Sequence, residues 1–191
     1  MKLLREILYK VEINSVIGDT SLIVSKIEFD SRLVNEGDVY VAIPGVNVDG
    51  HDFITQAIQN GAKCIISEKT SEQKIEGIVY VNVKSSRKAL AILSSNYFDN
   101  PSSKLNLIGV TGTNGKTTIA TLLFDLYSSL GLKSGLISTV NILYDNKNLK
   151  ASQTTPDSLS INRYLSEMVN ANVRYCFMEV SSHGIDQFRT E

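Results

Sequence analysis

The pattern of apolar and polar positions along the 191-residue chain predicts two small α/β units in series. Turn-forming residues at 99–103 separate an amphipathic helical pattern from a strongly apolar run, so we place the boundary between residues 1–100 and 101–191. The elements predicted for the first unit are helices at 3–8, 51–60 and 86–97 and strands at 21–29, 38–43, 63–67 and 77–83.

The second unit predicts a doubly wound parallel sheet in the order strand, helix, strand, helix, strand. Its strands are expected at 105–110, 134–139 and 173–180, with a polar hairpin through 144–147. Its first helix ends at Gly131 and its second begins near Pro156. The apolar positions with helical period are Ile119, Leu122, Leu123, Leu126 and Leu130 in the first helix and Ile161, Tyr164, Leu165 and Met168 in the second.

Three parallel strands with two helices make an incomplete doubly wound sheet. We therefore expect the chain to be a fragment of a longer protein. Its composition, 42% hydrophobic residues, suffices for a buried core. A net charge of −1, from 19 Lys plus Arg against 20 Asp plus Glu, argues against a nucleic-acid partner.

Two cysteines, Cys64 and Cys176, lie inside apolar runs, which predicts buried thiols and neither a disulfide framework nor a metal cluster. No signal-peptide core or membrane span is evident in the sequence. We therefore expect a cytoplasmic protein with no membrane partner.

The strongest chemical signal is Gly109–Thr118, which reads Gly-Val-Thr-Gly-Thr-Asn-Gly-Lys-Thr-Thr between a predicted strand and a predicted helix. In a phosphate-binding loop, glycines let backbone N–H groups turn toward phosphate oxygens, and the helix N-terminus adds positive potential. Lys116 supplies a mobile cation, and the Thr117 hydroxyl can reach Mg²⁺. The predicted nucleotide-binding residues are Gly112, Thr113, Asn114, Gly115, Lys116, Thr117 and Thr118.

The glycine spacing departs from the general P-loop pattern, because Val110 stands where a glycine is expected. A dinucleotide fingerprint fits the spacing less well. The alternative to a phosphate loop is a glycine-rich turn with an incidental lysine. A phosphate loop predicts a bound nucleoside triphosphate but does not by itself name a reaction.

Phosphoryl transfer also needs an acidic group at the end of a neighbouring strand, where it holds Mg²⁺ directly or through water. Glu179 closes the apolar run 175–178 and is placed for that role. We predict Thr117 and Glu179 as the magnesium residues, and Lys116 and Glu179 as the catalytic residues. A solvated carboxylate at a strand end is the alternative for Glu179.

Together with 179–184, Glu-Val-Ser-Ser-His-Gly, the segment Gly112–Thr118 resembles the Mur ligases, specifically those of type E. In the first unit, Asp30-Ser31-Arg32, Gly37-Asp38 and Asp49–Phe53 resemble the UDP-binding domain of types E and F. The resemblance covers the whole chain. It implies a small N-terminal α/β UDP-binding domain, followed by the first part of a P-loop parallel-sheet ATP-binding domain.

The resemblance also implies an activity that uses ATP and Mg²⁺. Such a ligase adds a diamino acid to the D-glutamate of UDP-N-acetylmuramoyl-L-alanyl-D-glutamate (UDP-MurNAc-L-Ala-D-Glu) in peptidoglycan synthesis, through an acyl phosphate. The implied substrate contacts are Ser31 and Asn47 toward the uridine, and Thr154, Thr155, Ser181, Gln187 and Arg189 toward the muramoyl dipeptide.

Several of these residues also have structural interpretations. Thr155 could cap a helix whose first turn holds Pro156. His51 and His183 are expected to orient or cap their neighbours, since neither has an acidic or cysteine partner at metal-ligand spacing.

The family's carbamylated lysine and the domain that selects the diamino acid would lie beyond Glu191. We therefore expect that this chain alone does not complete the ligation. We also expect the protein to be a monomer. Two other functions stay open: a non-catalytic module that binds nucleotide or UDP-sugar, and a P-loop NTPase with an unrelated N-terminal domain. The sequence does not indicate which diamino acid is added.

Overall fold

The computed structural model describes residues 2–45, 48–70 and 74–191. Contacts divide the chain into two units, Met1–Tyr97 and Phe98–Glu191. The first unit contains β1 (Lys2–Leu3), α1 (Leu4–Ile7), β2 (Ile13–Ile17), β3 (Ile23–Val24), β4 (Ile27–Glu28), β5 (Val39–Val41), α2 (Ile54–Gln59), β6 (Cys64–Ser67), β7 (Val79–Val83) and α3 (Ser86–Tyr97), with 3-10 turns at Ser31–Leu33 and Gly50–Phe53.

A five-stranded sheet of order β2-β7-β6-β5-β4 forms the centre of the first unit. Strands β4 to β7 are parallel, and β2 runs antiparallel to β7. Strands β5 and β6 are buried throughout, which explains their continuous apolar sequences: parallel strands are covered on both faces. The predicted strands at 38–43, 63–67 and 77–83 are confirmed.

One strand prediction for the first unit was wrong, and strand β2 was missed. The run 21–29 is two strands, because β3 pairs antiparallel with β1 whereas β4 pairs with β5 in the main sheet. Strand β2 was not predicted at all. Its five residues are exposed, and a register shift between Ile13 and Ser15 breaks the alternation that would reveal a strand.

The second unit begins with a 3-10 turn at Pro101–Lys104. Its further elements are β8 (Asn106–Val110), α4 (Lys116–Ser129), β9 (Ser134–Ile137), β10 (Asn141–Tyr144), β11 (Lys147–Lys150), α5 (Ser158–Asn170), β12 (Tyr175–Glu179) and α6 (Ser182–Asp186). The sheet order is β11-β10-β9-β12-β8. Strands β9, β12 and β8 are parallel as predicted, and the hairpin β10–β11 extends the sheet in antiparallel fashion.

Alternate residues of this sheet pack against different helices. Leu136 and Phe177 pack with α4. The rings of Tyr127 and Phe177 meet edge to face, with their centroids 5.1 Å apart. The opposite face packs with α5 in a cluster of Ile137, Ile142, Tyr144, Ile161, Leu165, Met168, Val173, Cys176 and Met178. Helices therefore cover both faces, and the α/β fold with parallel strands is confirmed.

The buried face of α4 differs from the predicted one. Ala120, Leu123, Phe124 and Tyr127 pack on the sheet. The predicted apolar positions Ile119, Leu122, Leu126 and Leu130 are instead 50–66% exposed. Apolar residues occur nearly all round this helix, so helical period alone did not determine which side the sheet would cover. None of the helices in the described ranges is long and apolar enough to cross a membrane.

Candidate functional site

The carboxyl ends of three parallel strands meet at one edge of the second unit's sheet. In the register of the sheet, Glu179 at the end of β12 pairs with Val110 at the end of β8, and Met178 pairs with Ile137 of β9. The phosphate loop, Glu179 and the turn after β9 therefore lie together. This edge is where open parallel sheets bind ligands.

The phosphate loop has the backbone that its glycines predict. Gly112 and Gly115 adopt φ angles of +146° and +80°, in the region that favours glycine. Gly115 precedes the first residue of α4, and no side chain caps this helix start. The first-turn N–H groups are thus left for an anion, as at helix N-termini that bind phosphate.

Lys116 lies over this loop. Its Nζ donates to the carbonyl of Gly112 at 2.8 Å and to that of Thr113 at 3.4 Å. These contacts hold the ammonium group among the loop carbonyls. From this position the flexible side chain can exchange a carbonyl for a phosphate oxygen.

Glu179 is buried, with 1% exposure. Its Oε2 accepts hydrogen bonds from the Thr117 hydroxyl at 2.9 Å and the Thr139 hydroxyl at 3.1 Å. Its Oε1 accepts the Thr139 N–H at 2.8 Å. Among the described residues, no lysine, arginine or histidine forms an ion pair with this carboxylate. Thr117 and Glu179, the two residues predicted to hold magnesium, are thus in contact, and the solvated alternative for Glu179 is wrong.

These oxygens fit a magnesium ion that arrives with a nucleotide. The described residues contain no group of three or more His, Cys, Asp or Glu side chains able to hold a metal by themselves. Mg²⁺ commonly takes only one or two protein oxygens and completes its octahedron with phosphates and water. The Glu179 carboxylate and the Thr117 hydroxyl match that donor set.

Thr139 is a contact that the sequence analysis missed. It follows β9 in no recognisable motif, and its backbone and side chain both donate to Glu179. The one available signal was positional, since a residue just after a parallel strand lies at the same edge as the phosphate loop.

Thr155 and Ser181 lie beside Glu179. The Thr155 hydroxyl donates to the Glu179 carbonyl at 3.0 Å, and the Ser181 N–H donates to the Thr155 hydroxyl at 2.9 Å. The alternative role of Thr155 as a helix cap is wrong. Asp157 caps α5, because its carboxylate accepts the Ser160 N–H at 2.8 Å and the helix begins at Ser158.

Arg189 joins the remaining predicted substrate residues to this cluster. Its guanidinium donates to the carbonyl of Thr155 at 2.5 Å and to Gln187 Oε1 at 2.6 Å. A further bond at 2.6 Å reaches Gln153. Thr154, half-buried, neighbours Thr155 in the chain. Thr155, Ser181, Gln187 and Arg189 therefore form one connected polar network.

Ser31 lies in the first unit, in a 3-10 turn that follows β4. Asp30 caps this turn by accepting the Arg32 N–H at 3.1 Å. The Ser31 hydroxyl is buried and donates to Gln56 Oε1 at 2.8 Å. Asn47, the other predicted uridine contact, lies outside the described residues.

His51 forms hydrogen bonds with Asp49 and with the segment after β6, consistent with its expected orienting role. Its Nδ1 donates to Asp49 Oδ1 at 2.6 Å, and its Nε2 accepts the Glu68 N–H at 3.1 Å. Lys69 pairs with Asp49 at 2.7 Å. Hydrogen bonding from Lys69, followed by that from His51, holds the pKa of Asp49 well below its ordinary value.

Two family profiles match the chain. The profile of the Mur ligase family, catalytic domain, matches residues 23–98, and that of the Mur ligase middle domain matches residues 110–191. The chain belongs to the Mur ligase family. The glycine-rich loop and Glu179 both fall within the part that matches the Mur ligase middle domain.

Curated relatives share the sequence of this Mur ligase chain over nearly its whole length. The UDP-N-acetylmuramoyl-L-alanyl-D-glutamate–2,6-diaminopimelate ligase of Cytophaga hutchinsonii is 46% identical over 97% of the chain. The enzyme of the same name from Clostridium tetani is 43% identical over 95%. The chain spans 38% of the length of each of these two relatives.

Solved structures of Mur ligases share the fold. A structure of UDP-N-acetylmuramoyl-L-alanyl-D-glutamate–2,6-diaminopimelate ligase matches 98% of the chain with a TM-score of 0.77 and 25% identity, over 37% of its own length. The MurF ligase of Thermotoga maritima, solved in complex with ADP, matches 87% of the chain and 34% of its own, with a TM-score of 0.53 and 24% identity.

Proposed function

We propose that the chain supplies the substrate-binding and nucleotide-binding parts of an ATP-dependent ligase of peptidoglycan synthesis. The ligase would add a diamino acid to the D-glutamate of UDP-MurNAc-L-Ala-D-Glu. The observation that carries this proposal is a hydrogen bond of 2.9 Å from the Thr117 hydroxyl to the buried Glu179. Thr117 lies in the first turn of α4, which follows the phosphate loop and has no side-chain cap. The names of relatives more than 40% identical support the choice of substrate.

The chemistry explains why a phosphate loop serves an amide ligase. A carboxylate is a poor electrophile, so the D-glutamate γ-carboxylate first attacks the γ-phosphorus of ATP, and the bond from that phosphorus to the bridging oxygen breaks to release ADP. The amine of the diamino acid then attacks the acyl phosphate, inorganic phosphate leaves, and the amine loses a proton. Positioning and charge neutralisation supply most of the catalysis.

Each proposed residue has a task in this scheme. Lys116 and the amides of Gly112–Thr118 would hold the β- and γ-phosphates. Thr117 and Glu179 would hold Mg²⁺, which supplies charge neutralisation at the phosphates when bound. Thr154, Thr155, Ser181, Gln187 and Arg189 would contact the muramoyl dipeptide, where hydroxyl and amide groups suit peptide oxygens and Arg189 suits a carboxylate.

Ser31 and Asn47 would contact the uridine. In this proposal residues 1–100 form the UDP-sugar-binding domain, and residues 101–191 form the first part of the ATP-binding domain. The protein would act as a cytoplasmic monomer. The diamino acid would be 2,6-diaminopimelate, which the names of the relatives specify.

The test is a ligation assay on the complete product of the gene that encodes these residues. UDP-MurNAc-L-Ala-D-Glu, ATP and Mg²⁺ are supplied with either diaminopimelate or lysine, and phosphate release and product mass are measured. We expect Lys116→Ala to lower the ligation rate by roughly 10²-fold or more, because it removes a charge contact to the transferred phosphoryl group. Lys104→Ala, in the exposed turn before β8, is the matched control.

A rate of ATP hydrolysis that is the same with and without the muramoyl substrate would instead favour a P-loop NTPase with an unrelated N-terminal domain. The 191 residues alone are expected to bind ligand without ligation. ATP-dependent amide formation by them alone would contradict that expectation.

A further inference from the structure

We infer that Thr139 is a positioning residue for the metal-bound nucleotide and acts through the carboxylate of Glu179. The inference rests on the proposed role of Glu179 in holding Mg²⁺. Thr139 belongs to none of the motifs on which the family resemblance rests. Its assignment comes from the geometry of the turn between β9 and β10.

Thr139 holds both oxygens of one carboxylate. Its N–H donates to Glu179 Oε1 at 2.8 Å, and its hydroxyl donates to Oε2 at 3.1 Å. Donors from a single residue on both oxygens restrict rotation of the carboxylate about its terminal bond. Glu179 is buried, with 1% exposure, whereas Thr139 is exposed, so water can compete for these bonds only from the Thr139 side.

The turn between β9 and β10 is closed by hydrogen bonds of Ser138 and does not use the N–H of Thr139. Ser138, also buried, donates its hydroxyl to the Asn141 carbonyl at 2.8 Å and accepts the N–H groups of Val140 at 3.3 Å and Asn141 at 3.1 Å. The backbone N–H of Ser138 bonds the same Asn141 carbonyl at 3.0 Å. These bonds close the turn and leave the Thr139 N–H directed at Glu179.

Thr117 and Thr139 would then have different tasks. The Thr117 hydroxyl donates to Glu179 Oε2 at 2.9 Å, but its oxygen is also the proposed ligand of the cation. A hydroxyl that gives an oxygen lone pair to a metal keeps its O–H for the carboxylate, so its position depends on both the cation and Glu179. The two donors of Thr139 would hold Glu179 independently of the cation, and outer-shell donors of this kind orient metal ligands.

A purely structural role for Thr139 makes a different prediction. If Thr139 only satisfies a buried carboxylate, its loss should weaken the fold and lower nucleotide affinity equally with and without metal. If it positions Glu179 for Mg²⁺, its loss should lower affinity only when Mg²⁺ is present.

The experiment compares Thr139→Val, Thr139→Ser and the control Val140→Ala in the complete gene product. Val140 lies on the same turn and is 59% exposed. Binding of a fluorescent ADP analogue is titrated in Mg²⁺ and in EDTA. We expect Thr139→Val to weaken binding in Mg²⁺ about tenfold and to change binding in EDTA by less than about twofold. Thr139→Ser, which keeps the hydroxyl, and Val140→Ala should both match the unmodified protein.

Equal weakening of Thr139→Val in Mg²⁺ and in EDTA would assign Thr139 a structural role and overturn the inference. Unchanged binding in Mg²⁺ would overturn it as well. The failure of the proposed function gives a distinct result: the unmodified protein would then bind the ADP analogue equally well in Mg²⁺ and EDTA, and the inference would fail with it.

Discussion

Replacing Glu179 by glutamine tests whether this buried carboxylate serves binding or stability. The carboxylate accepts three hydrogen bonds and, within the described ranges, has no ion-pair partner. Burying an ion costs several kcal/mol, and each hydrogen bond to a charged group returns about 1.5–3 kcal/mol. The two contributions nearly cancel, so the charge is expected to add little to the free energy of unfolding.

Glutamine has almost the same shape and removes the charge. Its amide oxygen can still accept the Thr139 N–H, while the hydroxyls of Thr117 and Thr139 can rotate to accept from its NH₂ group. We therefore expect Glu179→Gln to change the free energy of unfolding by less than about 1–2 kcal/mol, in either direction. Glu179→Ala takes the acceptor from three donors, which belong to the half-buried Thr117 and the exposed Thr139. Water can replace part of the lost acceptor, so the cost should be about 2–4 kcal/mol, near the lower end of the about 1–3 kcal/mol for each unpaired group.

Urea unfolding followed by far-UV circular dichroism, without nucleotide, measures both variants. Titration of an ADP analogue then compares binding in Mg²⁺ and EDTA. Glu179→Gln should abolish the difference between the two conditions although the fold is retained. The reasoning is refuted if glutamine destabilises the protein as much as alanine does, or if the effect of Mg²⁺ on binding survives the substitution.

Three further predictions concern the core and its titrating groups. Leu165→Ala, within the α5 cluster, should cost about 2–5 kcal/mol in urea unfolding, whereas Leu126→Ala on the exposed side of α4 should cost less than about 0.5 kcal/mol; similar losses would contradict the packing described. Cys64 and Cys176 are buried, and burial raises the pKa of both thiols, so a disulfide reagent such as DTNB should titrate neither before unfolding and both afterwards. Burial raises the pKa of Tyr40 from 10.0 to about 12, so the tyrosine of the unfolded chain ionises at a lower pH than that of the folded chain. The free energy of unfolding should therefore stay constant below pH 10 and fall as the pH rises toward 12. Tyr40→Phe should reduce this loss of stability at alkaline pH.

The sequence predicted the fold best where a strand is buried on both faces. Strands β5, β6 and β12 are short apolar runs, and their burial leaves few alternatives. It failed where a tertiary partner decides the outcome. Strand β2 is an exposed edge strand with a register shift, and the split of 21–29 depends on which partner each half pairs with.

Helix α4 shows a second kind of failure. Its apolar residues follow a helical period, yet the sheet covers the side that carries Phe124 and Tyr127 and leaves Leu122 and Leu126 exposed. Periodicity reports that a helix has an apolar side but cannot choose between two such sides. That choice is made by the strands onto which the helix packs.

In the candidate site, too, the residues that depend on local sequence were predicted, and the one that depends on tertiary contacts was missed. The phosphate loop is contiguous in sequence, and its glycines and lysine act through local backbone geometry, so the sequence alone predicts it. Glu179 lies 62 residues from Thr117, and it was identified because a strand end beside a phosphate loop is a position with known chemistry. Thr139 lies in no recognisable sequence motif. Its donors reach Glu179 only because parallel pairing brings the ends of β9 and β12 together and because hydrogen bonds from Ser138 close the turn. A residue whose function is to orient another becomes visible only once the fold has placed both, and for that reason the magnesium dependence of Thr139→Val tests the fold and the chemistry together.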